Sequence, residues 1–270
     1  MRIPTSWPRP RTLAAAGAIT AVAVLAALLL TGTRDRAPDP GTVPPGTGTG
    51  PPTSPAPRPP SSDLFGHRLD TAGGESGSTL PQDPATRPDP SRPDYLAAPP
   101  AGLVWQRLWV GAAAPVSASD GPAAITDGIA TGFAPTPQGA ALAAADALAR
   151  ALAAPDPIWR DVLADRFYTE TPRHHHELAD RFARARAATG PVAAMYVVVP
   201  SGVRVTAYRP GESAQVHLAF RARVGWTYAT WPMAWVQGDW RVRVPVDVER
   251  LWAAATPVTD LSAFGDWTTP

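Results

Sequence analysis

Hydrophobic and polar positions divide the 270-residue chain into stretches of different character. The run from Leu13 to Leu30, LAAAGAITAVAVLAALLL, has no charged residue and follows Arg2, Arg9 and Arg11. With Thr31 it reaches about the ~20 residues that an apolar helix needs to cross a bilayer. Residues 13–31 are therefore expected to form a transmembrane helix, with residues 1–12 as a basic cytoplasmic tail by the positive-inside rule. A cleaved signal peptide has the same basic start and apolar middle, but no small-x-small site stands out after Leu30. The expected product is a single-pass cell-membrane protein whose C-terminal domain is extracytoplasmic. Residues 32–100 carry no hydrophobic period and are rich in proline runs such as Pro44-Pro45, Pro51-Pro52 and Pro59-Pro60. Such a stretch buries too little apolar surface to offset its ordering entropy, which predicts a disordered linker. Asp63-Leu64-Phe65-Gly66 within it is a weak docking candidate.

From residue 101 the pattern becomes that of a folded domain ending at residue 270. Leu103–Val110 reads as a strand and 115–132 as a loop broken by Asp120-Gly121-Pro122 and Asp127-Gly128. Thr136-Pro137 supplies an N-cap and a proline at the first helical position. The helix it opens runs to about Ala154, with Leu142, Ala145, Ala149 and Leu152 as its apolar stripe and Asp146–Arg150 as an i,i+4 pair on another face. A second helix runs from Asp156-Pro157 to about Phe167. A third runs from Thr171-Pro172 to about Ala188, with Leu178, Phe182 and Ala185 inward and Glu177–Arg181 and Asp180–Arg184 as exposed pairs. After Gly190 the period changes to two: Met195–Val199, Val203–Tyr208, Ser213–Val224, Tyr228–Gln237 and Trp240–Val246 read as strands, the last two joined by a Gly238-Asp239 turn. Helices followed by an antiparallel meander define an α+β class.

Composition narrows the chemistry. There is no cysteine, which removes disulfides, thiol nucleophiles and cysteine-ligated metals. Every basic side chain is arginine, and residues 101–270 hold fifteen arginines and fifteen acids. A neutral domain lacks the basic footprint of nucleic-acid binding. His174-His175-His176-Glu177 could place a histidine and a glutamate on one helix face, but no second ligand pair stands at metal spacing, so no metal is expected. Asp120, Asp127, Glu212 and Asp239 fall in turns, Asp156 caps a helix, and Asp161, Asp165 and Asp180 read as helix-surface charges. No nucleophile elbow or phosphate loop occurs. These patterns predict no catalytic residue and no cofactor.

Strand alternation yields the strongest functional candidate. Arg204 and Thr206, then Gln215, His217, Arg221 and Arg223, then Arg241 and Arg243 alternate with apolar neighbours, so they share the face that the helices leave open. Arg204, Arg221, Arg223, Arg241 and Arg243 form a candidate docking surface for an acidic partner protein or an anionic wall polymer. A solvated sheet face whose charges pair locally with acids is the alternative reading of the same pattern. Trp226, Tyr228, Trp231, Trp235 and Trp240 could make a sugar platform, though in a small domain they more often build the core.

The hairpin Trp235-Val236-Gln237-Gly238-Asp239-Trp240-Arg241-Val242 resembles that of nuclear-transport-factor-2-like (cystatin-like) domains. With a basic start, one membrane span and a Pro-rich tether, it resembles the bitopic assembly component of type IV secretion and conjugation systems. The segment Gly132-Phe133-Ala134-Pro135-Thr136-Pro137-Gln138-Gly139-Ala140-Ala141-Leu142-Ala143-Ala144 is similar to the start of the first helix in actinobacterial conjugative-element proteins. The resemblance implies a cone of about three helices packed on a curved antiparallel sheet. It also implies a scaffold role through contacts with other membrane-complex proteins or with itself, and no catalytic residues. The same layout occurs in Mce-associated proteins, which makes a cell-wall-facing accessory protein the alternative. A cone-fold isomerase or hydratase is the enzymatic alternative.

Overall fold

The computed structural model describes residues 60–71, 73–189 and 197–268. The expected tail, the expected membrane span 13–31 and the linker up to residue 59 lie outside the described residues, as do residues 195 and 196 of the expected strand Met195–Val199.

The centre is a six-stranded mixed sheet. It contains β7 (Phe167–Tyr168), β8 (Gly202–Arg209), β9 (Ser213–Arg221), β10 (Trp226–Val236), β11 (Asp239–Arg243) and β12 (Thr256–Val258), in the order β7-β11-β10-β9-β8 with β12 also on β10. Three further two-stranded sheets precede it: β1 (Ser61–Ser62) with β2 (Arg68–Leu69), β3 (Val104–Leu108) with β4 (Ala112–Val116), and β5 (Ala124–Thr126) with β6 (Ile129–Thr131). Three α-helices stand between: α1 (Pro137–Ala153), α2 (Ile158–Arg166) and α3 (Pro172–Thr189).

These elements correct the expected fold class. The described domain is mostly sheet, and the central sheet is mixed, because β7 lies parallel to β11 where an antiparallel meander was expected. Residues 115–132, expected as loop, contribute β5, β6 and the end of β4. The disordered linker does not extend to residue 100. From residue 60 the chain is placed: the Asp83 backbone N–H donates to Ala118 at 2.6 Å, and the Val205 N–H donates to the Leu96 carbonyl at 2.7 Å. The expected transmembrane helix is corrected only this far: among the described residues no helix is long and apolar enough to cross a membrane, and the expected span 13–31 lies outside them.

Helix α1 explains the core. It crosses the inner face of the sheet, touching β8, β9, β10 and β11, and carries the β3–β4 hairpin on its other side. A helix between two layers must be apolar all round, and α1 is alanine-rich with every residue but Leu148 buried. The expected one-sided stripe is thus replaced by burial on all faces. Thr136 caps the helix, its hydroxyl accepting from the Gly139 N–H at 2.9 Å. At the other end Arg186 of α3 donates to the carbonyls of Ala151, Leu152 and Ala154, which satisfies acceptors that have no partner inside the helix. On α3, Leu178, Phe182 and Ala185 face inward as expected. Its charges pair differently: Arg173 meets Glu177, while Arg181 and Arg184 both reach Glu249.

Candidate functional site

Two places on the sheet gather polar side chains. The first is the outer face, opposite α1. Register pairs Arg204 with His217 and His217 with Thr230 across β8, β9 and β10. His217 is only 7% exposed, although it stands on the polar side. One ring nitrogen lies 2.8 Å from the Thr206 hydroxyl and the other 2.9 Å from the Thr230 hydroxyl. The Tyr228 ring packs edge-on at 5.1 Å. Burial, and then the nearby Arg204 charge, depress the His217 imidazole from 6.5 to about 4. Both nitrogens are engaged by neutral hydroxyls, so the neutral ring is a structural bridge between strands.

The cover over this row is the C-terminal segment, which the sequence pattern did not assign to the sheet. Phe264 lies 5.6 Å from Tyr228, and the Arg204 guanidinium stacks 4.7 Å from the Phe264 ring. Gly265 bridges Val203 on the free edge of β8. Trp267 is buried, donates its indole N–H to the Ala97 carbonyl at 2.9 Å, and accepts at its own carbonyl from the Trp105 indole at 2.7 Å. The available signal was two aromatics, Phe264 and Trp267, in an otherwise polar tail.

Of the five expected docking arginines, Arg204, Arg221, Arg241 and Arg243 stand at strand positions facing away from α1, Arg223 lies beyond the end of β9, and they are spread apart. Arg221 pairs with Trp226 at one end of the β9–β10 hairpin, whereas Arg241 pairs with Ala234 at the level of Ser213. Eight residues of β9 separate the two levels, roughly 27 Å at ~3.4 Å per residue. Arg204 is half-buried beneath Phe264. Arg243 is exposed and sits 3.6 Å from Glu170. Arg221 and Arg223 are exposed at the hairpin tip, beside Val224, which is 87% exposed.

The second place is where the two motifs of the sequence meet. The turn of the β10–β11 hairpin consists of Gln237 and Gly238, both at positive φ (54° and 84°). This pair suits a two-residue hairpin. Asp239, expected in the turn, is instead the first strand residue. Its carboxylate accepts from the backbone of Gly132 (3.0 Å), Phe133 (3.1 Å) and Trp240 (2.8 Å) and from Arg166 Nη1 (2.7 Å). The Trp240 indole donates to Ala134 at 2.8 Å, and Arg166 Nη2 donates to the Trp240 carbonyl at 2.6 Å. The segment beginning at Gly132 is thereby welded to the Trp235–Val242 hairpin. Beside the weld is a cleft of about 300 Å³ lined by Thr131, Gly132, Asp165, Arg166, Gln237, Gly238, Asp239 and Arg241.

The histidine run does not assemble a site. His174 is buried and contacts the Pro245 carbonyl at 2.7 Å, while His176 contacts the Pro172 carbonyl at 2.8 Å. Among the described residues no group of three or more His, Cys, Asp or Glu side chains could hold a metal ion.

Architecture and site together define a small mixed-sheet domain with helices on one face and a polar, partly strapped opposite face. The chain matches the family described as a domain of unknown function, DUF8175, over residues 70–268, and it belongs to that family. Neither the curated proteins nor the solved structures contain a match to it.

Proposed function

We propose that this domain is a non-enzymatic docking module, a scaffold component that binds an acidic partner protein through the tip of the β9–β10 hairpin. The observation that carries this reading is the unspent charge of that tip. Eleven arginines among the described residues face a carboxylate within 4.0 Å. Arg221 and Arg223 have none, and they come just before an exposed Val224 and a half-buried Trp226. Paired cations beside an apolar knob suit a complementary acidic surface, where such charges set association rate and salt dependence.

The test is an Arg221→Glu, Arg223→Glu double variant. Both side chains are exposed, so the thermal midpoint should stay within about 2 °C of the wild type. Co-purification with the wild type should recover a partner whose binding weakens with added salt, and the double variant should lose it. A folded double variant that retains every partner would reject the hairpin tip as the interface.

A further inference from the structure

The cleft beside the β10–β11 turn has a chemistry of its own, carried by residues other than those of the hairpin tip. Two guanidinium groups line it. Arg166, at the end of α2, is 2% exposed; it spends Nη1 on Asp239 and Nη2 on the Trp240 carbonyl. Arg241, on β11, spends Nη2 on the Gln237 side-chain oxygen at 3.1 Å. In each the Nε–H is buried and has no hydrogen-bond partner. An unmet buried donor is costly, more so on a charged group, so both arginines of the cleft wall keep donor capacity that Asp239, the Trp240 carbonyl and Gln237 do not use. The acids on the walls do not serve. Asp239 already accepts from four donors and neutralises Arg166. Asp165 is exposed and forms no ion pair among the described residues. Arg241 has the neutral Gln237 amide as its side-chain partner and forms no ion pair among the described residues.

We propose that this cleft binds a single carboxylate group, received by Arg241 with the Arg166 edge behind it. At about 300 Å³ the cleft stands at the low end of ligand pockets. That size suits a small carboxylic acid or one acidic side chain and excludes a nucleotide. Charge-assisted hydrogen bonds from guanidinium to carboxylate are the strong kind. The Asp165 carboxylate on the wall disfavours a second negative charge nearby, which limits the ligand to one carboxylate per cleft.

The experiment observes the arginine Nε–H signals of the folded protein by NMR. Sodium butyrate and the blocked peptide acetyl-Gly-Glu-Gly-amide are titrated separately against sodium chloride at matched ionic strength. Saturable shifts of Arg241 and Arg166 with either carboxylate, absent with chloride, are expected. Tighter binding of the peptide assigns the site to a protein-borne acidic side chain, and equal or tighter binding of butyrate assigns it to a free small acid. Arg241→Gln should weaken the binding at least tenfold. Asp165→Asn, at an exposed position, should tighten it severalfold, which a purely structural role for Arg241 does not predict. No shift with either carboxylate, or the same shift with chloride, overturns the proposal. The hairpin-tip reading is unaffected by that outcome, because Arg221 and Arg223 are intact throughout.

Discussion

Asp146 and Arg150 show how far one side-chain pair can depart from its surface appearance. Their spacing on α1 is that of an exposed helix pair, yet both side chains are 1% exposed. Arg150 Nε donates to both Asp146 oxygens, at 2.7 and 2.9 Å, and Nη1 donates to the carbonyls of Ser76 and Gly128, both at 2.9 Å. Burial pushes the Asp146 carboxyl up, against the pull of Arg150. Breaking such a pair leaves a buried charge uncompensated, so Asp146→Asn should cost about 3–5 kcal/mol in urea unfolding. Replacing both residues with apolar ones of similar volume should recover much of that loss; a small effect from Asp146→Asn alone would show that Arg150 is held by its carbonyls. His217 gives a pH-dependent counterpart. Its folded value, about 4, lies below its ordinary 6.5. Between those values the unfolded chain binds more protons than the folded one, so stability is lost as pH falls through this window. The difference in melting temperature between wild type and His217→Gln should therefore vary from pH 6.5 to about pH 4 and level off below. A constant difference across the window would show that His217 titrates normally.

At the scale of elements, the C-terminal segment is held by one point of close approach. A Cβ on Gly265 would overlap the carbonyl of Ala97, and neither backbone can retreat without breaking the Gly265–Val203 bridge or the Trp267 indole bond to Ala97. Gly265→Ala should unlatch the segment from β8. Hydrogen exchange should rise at Val203 and Gly265, and Trp267 fluorescence should shift toward that of an exposed indole. Unchanged protection at Val203 would show that the segment is held by Phe264 and Trp267 alone. The bridge also covers part of the free edge of β8, and the Leu96 carbonyl pairs the Val205 N–H. With that edge occupied, strand addition there is blocked, which favours association through the hairpin tip.

For the whole molecule, residues 60–100 belong to the folded unit. Gln138 of α1 donates to the carbonyls of Tyr95 and Ala98. The buried Asp63 carboxylate accepts from the backbone of Phe65, His67 and Val199, which sets the β1–β2 turn against the domain. A chain beginning at Pro60 should unfold in one cooperative transition. A chain beginning at Ala98 loses the Ala97, Leu96 and Tyr95 acceptors and should unfold at clearly lower denaturant. Equal midpoints would show that the early segment contributes nothing to the core.

Local signals carried the helices and the main hairpins. Thr136-Pro137 marked the start of α1, Thr171-Pro172 that of α3, and the period-two alternation from Val203 to Val242 marked four neighbouring strands and the side to which their arginines point. These features depend on capping, proline geometry and side-chain parity, each of which acts over a few residues. What packs on what depends on contacts between distant residues, to which a local pattern is blind. Alanines in α1 read as a weak stripe until the β3–β4 hairpin closes over the other side. The two residues of β7 join β11 in parallel only because α2 ends beside it. Proline-rich sequence after residue 60 reads as disordered because its bonds are made to partners far along the chain. Arg166 and Arg241 are 75 positions apart in sequence, and the bonds of Arg166 to Asp239 and to the Trp240 carbonyl bring them to one cleft.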